Sequence, residues 1–272
     1  MTITANCKIN IGLDVISRRI DGFHSLSTVM YPVKGLFDVL TIERTDTQTV
    51  EFQGKGLIVD CAPESNLCVK AYNLMHERYG IAGVTITLDK RIPFGAGLGG
   101  GSADATAVIM AIDSLFELHL AEQTLIDLAA ELGSDTAFFV RNYAQLCSGR
   151  GEIMEPIEVN LKGKYLVLIK PNEGVSTREA YAGVKPAEPA TPLRELIARP
   201  LSQWQGSIKN DFEPHIFAAH PLLGQIKEQL LSAGATYAAM SGSGSTIYGI
   251  FETLTQAKSE QLSSHSPYIF EL

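Results

Sequence analysis

KRIPFGAGLGGGSADATAVIMA, residues 90–111, is the stretch on which the reading of this chain turns. Alternating apolar residues predict a short strand over Val84 to Leu88 leading in. The loop runs from Asp89 to Gly101, and a helix is predicted from Ser102 to about Phe116. Gly95, Gly97, Gly99, Gly100 and Gly101 crowd that loop. Glycine has no Cβ, so the backbone can approach an anion closely and visit positive φ. A starting helix adds unpaired N–H groups and the positive end of its dipole. Together they make an anion site suited to a polyphosphate. Ser102, at the helix start, can cap the helix, bind a phosphate oxygen or ligate Mg²⁺. A flexible loop with no ligand is the bland alternative. Glycines this dense carry a large entropy cost on ordering, and its position just before a helix favours a ligand.

Two other phosphate motifs are excluded by context. Gly95, Gly97 and Gly100 match the spacing of the dinucleotide fingerprint. That fingerprint needs a βαβ unit and an acidic residue about 20 positions on, at the end of a second strand. Asp113 instead falls inside the predicted helix. A Walker A loop is also excluded, because no Lys stands between the glycines and Ser102.

Working outward, residues 1–60 read as β-rich. Ile3, Ala5, Cys7, Ile9 and Ile11 alternate with polar residues, a turn is expected at Arg18 to Gly22, and Val29 to Val33 and Val39 to Ile42 look like further strands. Residues 65–79 predict a helix with Ser65 as N-cap and Gly80 just past its end. Its apolar face is read as Leu67, Ala71, Leu74 and Met75. Leu125, Leu128, Ala129 and Leu132 mark another helix, closed by Gly133. Tyr165 to Ile169, Tyr237 to Met240 and Thr246 to Phe251 predict strands, Pro221 to Ser232 a helix, and Val184 to Pro192 a surface loop. Strands mixed with helices, without strict βαβ alternation, indicate an α+β fold. A composition shift suggests two domains, 1–155 and 156–272.

The totals narrow the function classes. The 272 residues carry a formal net charge of −8, so nucleic acid and membrane are not expected partners. No apolar run reaches the roughly 18 residues of a membrane span and no leader pattern opens the chain, so the expected location is cytoplasmic. Cys7, Cys61, Cys68 and Cys147 form no CxxC pair and read as reduced, mostly buried thiols. The histidines, His215 and His220 included, read as structural or surface residues.

Two flanking segments are weaker alone. Lys8 and Asn10 lie two apart and share one face of a strand, which could simply be solvated. Met240-Ser241-Gly242-Ser243-Gly244-Ser245-Thr246 could close over phosphates, but by itself it reads as a plain β-turn.

In order along the chain, these three segments resemble the GHMP kinase superfamily. The central motif reads Pro93-Phe94-Gly95-Ala96-Gly97-Leu98-Gly99-Gly100-Gly101-Ser102-Ala103. Further matches are Lys8-Ile9-Asn10, Asp21-Gly22-Phe23-His24, Leu132-Gly133-Ser134-Asp135 and Lys209-Asn210-Asp211-Phe212-Glu213, and the resemblance spans essentially the whole chain. They point to members that phosphorylate a cytidyl diphosphate sugar alcohol in non-mevalonate isoprenoid synthesis. The resemblance implies a ribosomal-S5-like N-terminal domain, a ferredoxin-like C-terminal domain and a cleft between them for ATP and substrate. Departures include Phe23 where Tyr is frequent, Ala103-Asp104 where some members have Ser-Asn, and residues 173–205, which match poorly.

The same resemblance assigns roles. Lys8 and Asp135 are the expected catalytic pair, Asp135 taking the proton of the substrate hydroxyl. Read alone, Asp135 could equally be a capping or turn residue. Pro93 to Ala103 should hold ATP, with Mg²⁺ bridging its phosphates and Ser102 as its contact, and Asn66 and Leu67 are expected to flank the adenine. Asn10, Phe23, His24 and Tyr181 are the expected substrate contacts, although Phe23 and Tyr181 could be core packing. The expected assembly is a monomer or weak homodimer. The rivals are another kinase of the superfamily, acting on homoserine, mevalonate or a sugar, and a non-catalytic metabolite-binding protein.

Overall fold

Two long strands open the chain, β1 (Thr2–Arg18) and β2 (His24–Arg44), paired with each other and joined by the turn expected at Arg18 to Gly22. The computed structural model describes residues 1–58 and 62–272, so Cys61 lies outside the described residues. The segments expected as separate strands at Val29 to Val33 and Val39 to Ile42 are one continuous strand. The chain divides into two units, each assembled from several segments: residues 1–8, 32–94 and 99–143 form one, and residues 9–31, 95–98 and 144–272 form the other.

In the first unit, β2 runs antiparallel to β4 (Val84–Lys90), from Val39 opposite Asp89 to Arg44 opposite Val84. The strand β3 (Val50–Gly56) runs parallel to β4 on its other side. β4 continues two residues beyond the expected end, so Asp89 and Lys90 belong to the strand rather than to the loop. Helix α1 (Leu67–Tyr79) packs on α2 (Gly100–Leu115), followed by α3 (Glu122–Leu132) and the short α4 (Phe138–Arg141). The N-cap of α1 is Asn66, not Ser65: the Asn66 side chain accepts from Cys68 N at 2.9 Å, while Ser65 ends a short 3-10 turn. Such a cap contributes about 1 kcal/mol. Gly80 closes the helix at φ 61°, as expected. The buried face of α1 is Cys68, Val69, Ala71, Tyr72 and Met75, with Leu67 and Leu74 only half-buried. α2 starts at Gly100, two residues early, because Gly99 rather than Ser102 forms its N-terminal boundary. Its run of Ala, Thr, Val and Ile is buried almost throughout, which makes it the central helix of this unit.

In the second unit, β5 (Gln145–Ser148) pairs antiparallel with β2 at Thr28 to Met30 and with β6 (Ile153–Pro156). A second sheet takes the order β10-β7-β9-β8, all antiparallel, from β7 (Tyr165–Ile169), β8 (Tyr237–Met240), β9 (Ile247–Phe251) and β10 (Tyr268–Glu271). Helices α5 (Thr177–Ala182), α6 (Leu193–Ile197), α7 (Glu213–Ala219) and α8 (Pro221–Ser232) lie between β7 and β8 in the chain, and α9 (Leu254–Ala257) and α10 (Glu260–Ser263) between β9 and β10. That βαββαβ order, with the first and third strands central, is the ferredoxin-like arrangement. No helix or strand falls between α5 and α6, as expected for Val184 to Pro192. The core gathers Leu13, Val167, Phe212, Ile226, Met240 and Phe251. Among the described residues, Cys7, Cys68 and Cys147 are buried and in no disulfide.

Candidate active site

Within the first unit, Lys8 lies on the stretch of β1 from Cys7 to Val15 that is buried on both faces, and it is only 2% exposed. The solvated face that Lys8 and Asn10 could have occupied is therefore interior. A buried ammonium needs a counter-charge. Asp135 Oδ2 lies 3.2 Å from Lys8 Nζ, with the Asp135 side chain still 34% exposed, so the pair remains open to a reactant. Asp135 follows α3 in the Gly133 to Thr136 segment, which is tied to α2 by Thr106 Oγ1 donating to the Thr136 carbonyl at 2.7 Å. α4, which begins three residues on, has no side-chain cap, so Asp135 does not cap it.

The head of α2 meets the same lysine. Gly99 adopts φ 69°, and the first helical bond runs from Ala103 N to the Gly99 carbonyl at 2.9 Å. No side chain caps this end, so the N–H groups of Gly100, Gly101 and Ser102 face outward along the helix axis. A Cβ at Gly99 would lie 3.1 Å from Lys8 Cγ and Cε and from Phe139 Cζ. Lys8, Asp135 and an uncapped helix N-terminus are thus assembled at one point. Leu67 packs on the first turn of α2, its Cδ1 3.5 Å from where a Gly101 Cβ would stand. Asn66 is occupied in capping α1, Pro93 is half-buried and Phe94 is 64% exposed.

Within the second unit, Gly95 to Leu98 lie against the small-residue loop Met240 to Thr246. A Cβ on Gly97, at φ 74°, would stand 2.0 Å from the Ser241 carbonyl oxygen, so no side chain fits there. Ser241 Oγ donates to the Gly97 carbonyl at 2.9 Å and Thr246 N donates to the Ala96 carbonyl at 3.2 Å. Asn210 Nδ2 donates to the Met240 and Gly242 carbonyls at 2.9 and 2.8 Å. The segment that reads alone as a plain turn is therefore the support of the glycine-rich loop. Asn10 belongs to the same assembly: its backbone N–H donates to Ser241 Oγ at 3.2 Å and its Nδ2 to Thr28 Oγ1 at 3.0 Å.

The Asp21 to His24 turn is held locally by the Arg19–Asp21 ion pair and by Phe23 N donating to Asp21 Oδ1 at 3.1 Å. Phe23 is 55% exposed, with the Arg150 guanidinium 4.9 Å above its ring. His24 stacks on Tyr181 with ring centroids 4.9 Å apart, and Tyr181 meets Phe212 edge-on. Flat, partly open rings such as these offer a stacking surface for a base. His220, read as structural or surface, sits between Glu179 and Glu173 at 2.8 and 3.2 Å. The hydrogen bond to Glu179 foremost raises its pKa.

Sequence reasoning gave no role to Asp38, Lys90 and Asp104, whose side chains meet in buried ion pairs. The available signal was charge placed inside otherwise apolar elements. It also left Ser241 without a role and quoted Asn210 only as part of a motif.

A family description of the GHMP kinases N terminal domain matches residues 66–142, and one of the GHMP kinases C terminal matches residues 192–263. A 4-diphosphocytidyl-2-C-methyl-D-erythritol kinase of Bacteroides fragilis is 46% identical over 248 residues, covering 90% of each chain. One from Parabacteroides distasonis is 44% identical, covering 95% of this chain and 94% of that protein. A crystal structure of 4-(cytidine 5'-diphospho)-2C-methyl-D-erythritol kinase matches at TM-score 0.85 and 31% identity, over 99% of this chain and 98% of that one. A homoserine kinase from Cytophaga hutchinsonii matches at TM-score 0.75 and 20% identity, a likeness of fold alone. With relatives this similar over nearly their whole length, the chain belongs to the GHMP kinases and, among them, to the 4-diphosphocytidyl-2-C-methyl-D-erythritol kinase family.

Proposed function

We propose that this kinase transfers the γ-phosphate of ATP to the 2-hydroxyl of 4-diphosphocytidyl-2-C-methyl-D-erythritol, a step of non-mevalonate isoprenoid precursor synthesis. The observation that carries this reading is the Lys8–Asp135 pair set against the uncapped head of α2. Phosphoryl transfer needs positioning and charge neutralisation rather than covalent chemistry by the protein. The substrate oxygen attacks the γ-phosphorus, the bond to the β,γ-bridging oxygen breaks and ADP leaves. The hydroxyl proton passes to the Asp135 carboxylate. Lys8 orients that carboxylate and attracts charge developing on the transferred group. The N–H groups of Gly100, Gly101 and Ser102 receive phosphate oxygens.

Among the described residues, no group of three or more His, Cys, Asp or Glu side chains is placed to hold a metal ion. Magnesium carried on nucleotide phosphates keeps much of its water and needs few protein ligands. The Ser102 hydroxyl, half-buried in the first turn of α2, suits that demand. When bound, the ion would neutralise charge on the β- and γ-phosphates.

For the acceptor, we assign Phe23, His24 and Tyr181 to the cytidyl group and Asn10 to the support of its site. Asn66 and Leu67 are assigned to the adenine side. Replacing Phe23 by Ala should raise the KM for the cytidyl substrate roughly three- to tenfold, the worth of one aromatic contact, and leave the KM for ATP unchanged. Steady-state kinetics with each substrate varied in turn checks this, and an effect confined to ATP would relocate the base site.

The reaction itself is tested by coupled ADP release with ATP, Mg²⁺ and 4-diphosphocytidyl-2-C-methyl-D-erythritol, run beside homoserine and mevalonate. Turnover with the cytidyl substrate alone is expected. Turnover only with another alcohol would keep the mechanism and overturn the acceptor.

A further inference from the structure

Beneath the glycine-rich segment, three charged side chains are buried together in the first unit. Lys90 Nζ, at the end of β4, lies 2.5 Å from Asp38 Oδ2 on β2 and 2.6 Å from Asp104 Oδ2 on α2. Their side chains are at most 3% exposed. The other oxygen of Asp38 accepts from Arg91 N at 2.5 Å and from Ile92 N at 2.8 Å, the first two residues after β4. Asp104 sits in the second turn of α2. A Cβ at Gly100 would lie 3.0 Å from Lys90 Nζ and 2.8 Å from Ile92 Cγ2, so the cluster stands directly behind the first helical residue.

We propose that Asp38, Lys90 and Asp104 are positioning residues for nucleotide binding: they tie the entrance of the glycine-rich loop, at Arg91 and Ile92, to its exit, at the head of α2. This rests on the reading of that helix head as the ATP-phosphate site. Hydrophobic packing would hold the strand end and helix together more cheaply than three desolvated charges. What packing does not supply is direction: a carboxylate that accepts two consecutive backbone N–H groups sets the exit angle of the chain, and an ammonium shared by two carboxylates sets the distance to the helix. Phosphate oxygens accept from backbone N–H groups over a narrow range of distance and angle, so both settings bear on affinity.

Burial foremost pushes Asp104 up to about 7, with Lys90 opposing and Asp38 adding to the shift. Burial lowers Lys90, but the two carboxylates outweigh it and leave it raised. Asp104 Oδ1 is buried with no hydrogen-bond partner among the described residues. Two of the ammonium's three donors go to these carboxylates, so on this proposal it acts through the backbone it holds, not as a cation offered to the nucleotide.

The test is direct calorimetric titration of ATP and ADP into the intact protein, with no phosphate acceptor present, for wild type, Asp104→Ala, Asp104→Asn and Asp38→Asn. Thermal unfolding runs alongside. Asp104→Ala should weaken nucleotide binding roughly tenfold, and Asp104→Asn, which keeps an oxygen for Lys90, should restore it to within about threefold. Asp38→Asn should weaken it at least as much as Asp104→Ala. In kinetics the loss should appear in the KM for ATP and not in that for the acceptor. A purely architectural role would lower the melting temperature and leave the dissociation constants of the folded variants unchanged, and that result overturns the proposal. Should Asp38→Asn fail to fold, the two Asp104 variants decide. A wild-type chain that binds neither nucleotide would overturn the phosphate-site reading and this one with it, whereas nucleotide binding with an unexpected acceptor leaves this one standing.

Discussion

Replacing Asp135 by Asn should lower kcat by roughly 10²- to 10⁴-fold while ATP affinity holds within about twofold, the range expected when a positioned proton acceptor is removed. The amide matches the carboxylate in size, so the Gly133 to Thr136 segment, anchored through the Thr106–Thr136 bond, should keep its place. Lys8 loses its ionised partner at 3.2 Å but stays enclosed by β1. On the proposed mechanism, what disappears is the acceptor of the hydroxyl proton and the charge that orients it. The uncapped N–H groups of α2, assigned to the nucleotide, are untouched. Single-turnover kinetics measures the loss in the chemical step, and calorimetry measures ATP binding separately. An Asp135→Asn enzyme with wild-type kcat would remove the residue from the mechanism.

Gly99→Val should weaken ATP binding by roughly 10- to 100-fold. Two causes act together. At φ 69° a β-branched residue is strained by about 1–2 kcal/mol. Its Cβ would begin 3.1 Å from Lys8 Cγ and Cε and from Phe139 Cζ, and its two methyl groups would reach further. Neither neighbour can retreat easily, because Lys8 and Phe139 are both buried. The head of α2 must then shift, and with it the N–H groups of Gly100 to Ser102. Gly80→Ala is the control for backbone strain alone. Gly80 also has a positive φ, 61°, but a Cβ there meets nothing within 4 Å. That variant should lose about 1 kcal/mol of stability and bind ATP normally. Equal nucleotide affinity in Gly99→Val and wild type would take the loop out of the phosphate site.

Much of the fold was legible because its signals are local. The alternation in residues 3–11, the apolar run Tyr165 to Ile169 and the αL glycine after α1 are each carried by a few neighbouring residues, and each became the expected element. Errors of register came where two local solutions compete. Ser65 and Asn66 can both cap a helix, and the side-chain oxygen that reaches Cys68 N belongs to Asn66. Gly99 and Ser102 can both begin one, and the positive φ at Gly99 settles the start. The strands expected at Val29 to Val33 and Val39 to Ile42 fused because the residues between them stay extended. One stretch of that continuous strand pairs with β5 and another with β4.

Sequence by itself determined the chemistry that the proposed phosphate site rests on: a dense glycine run opening a helix already favours positive φ and free N–H groups, whatever surrounds it. Through the family resemblance it also pointed to Lys8 and Asp135, the pair proposed to carry the transfer. Only the tertiary structure decided which charges meet. Lys8 and Lys90 look alike in sequence, yet one meets the partly exposed Asp135 and the other is held between Asp38 and Asp104, 52 and 14 positions away. The physical reason is that the worth of a charge depends on distance and burial. Both are set by how β1, β2, β4 and α2 pack, which no short window of sequence contains.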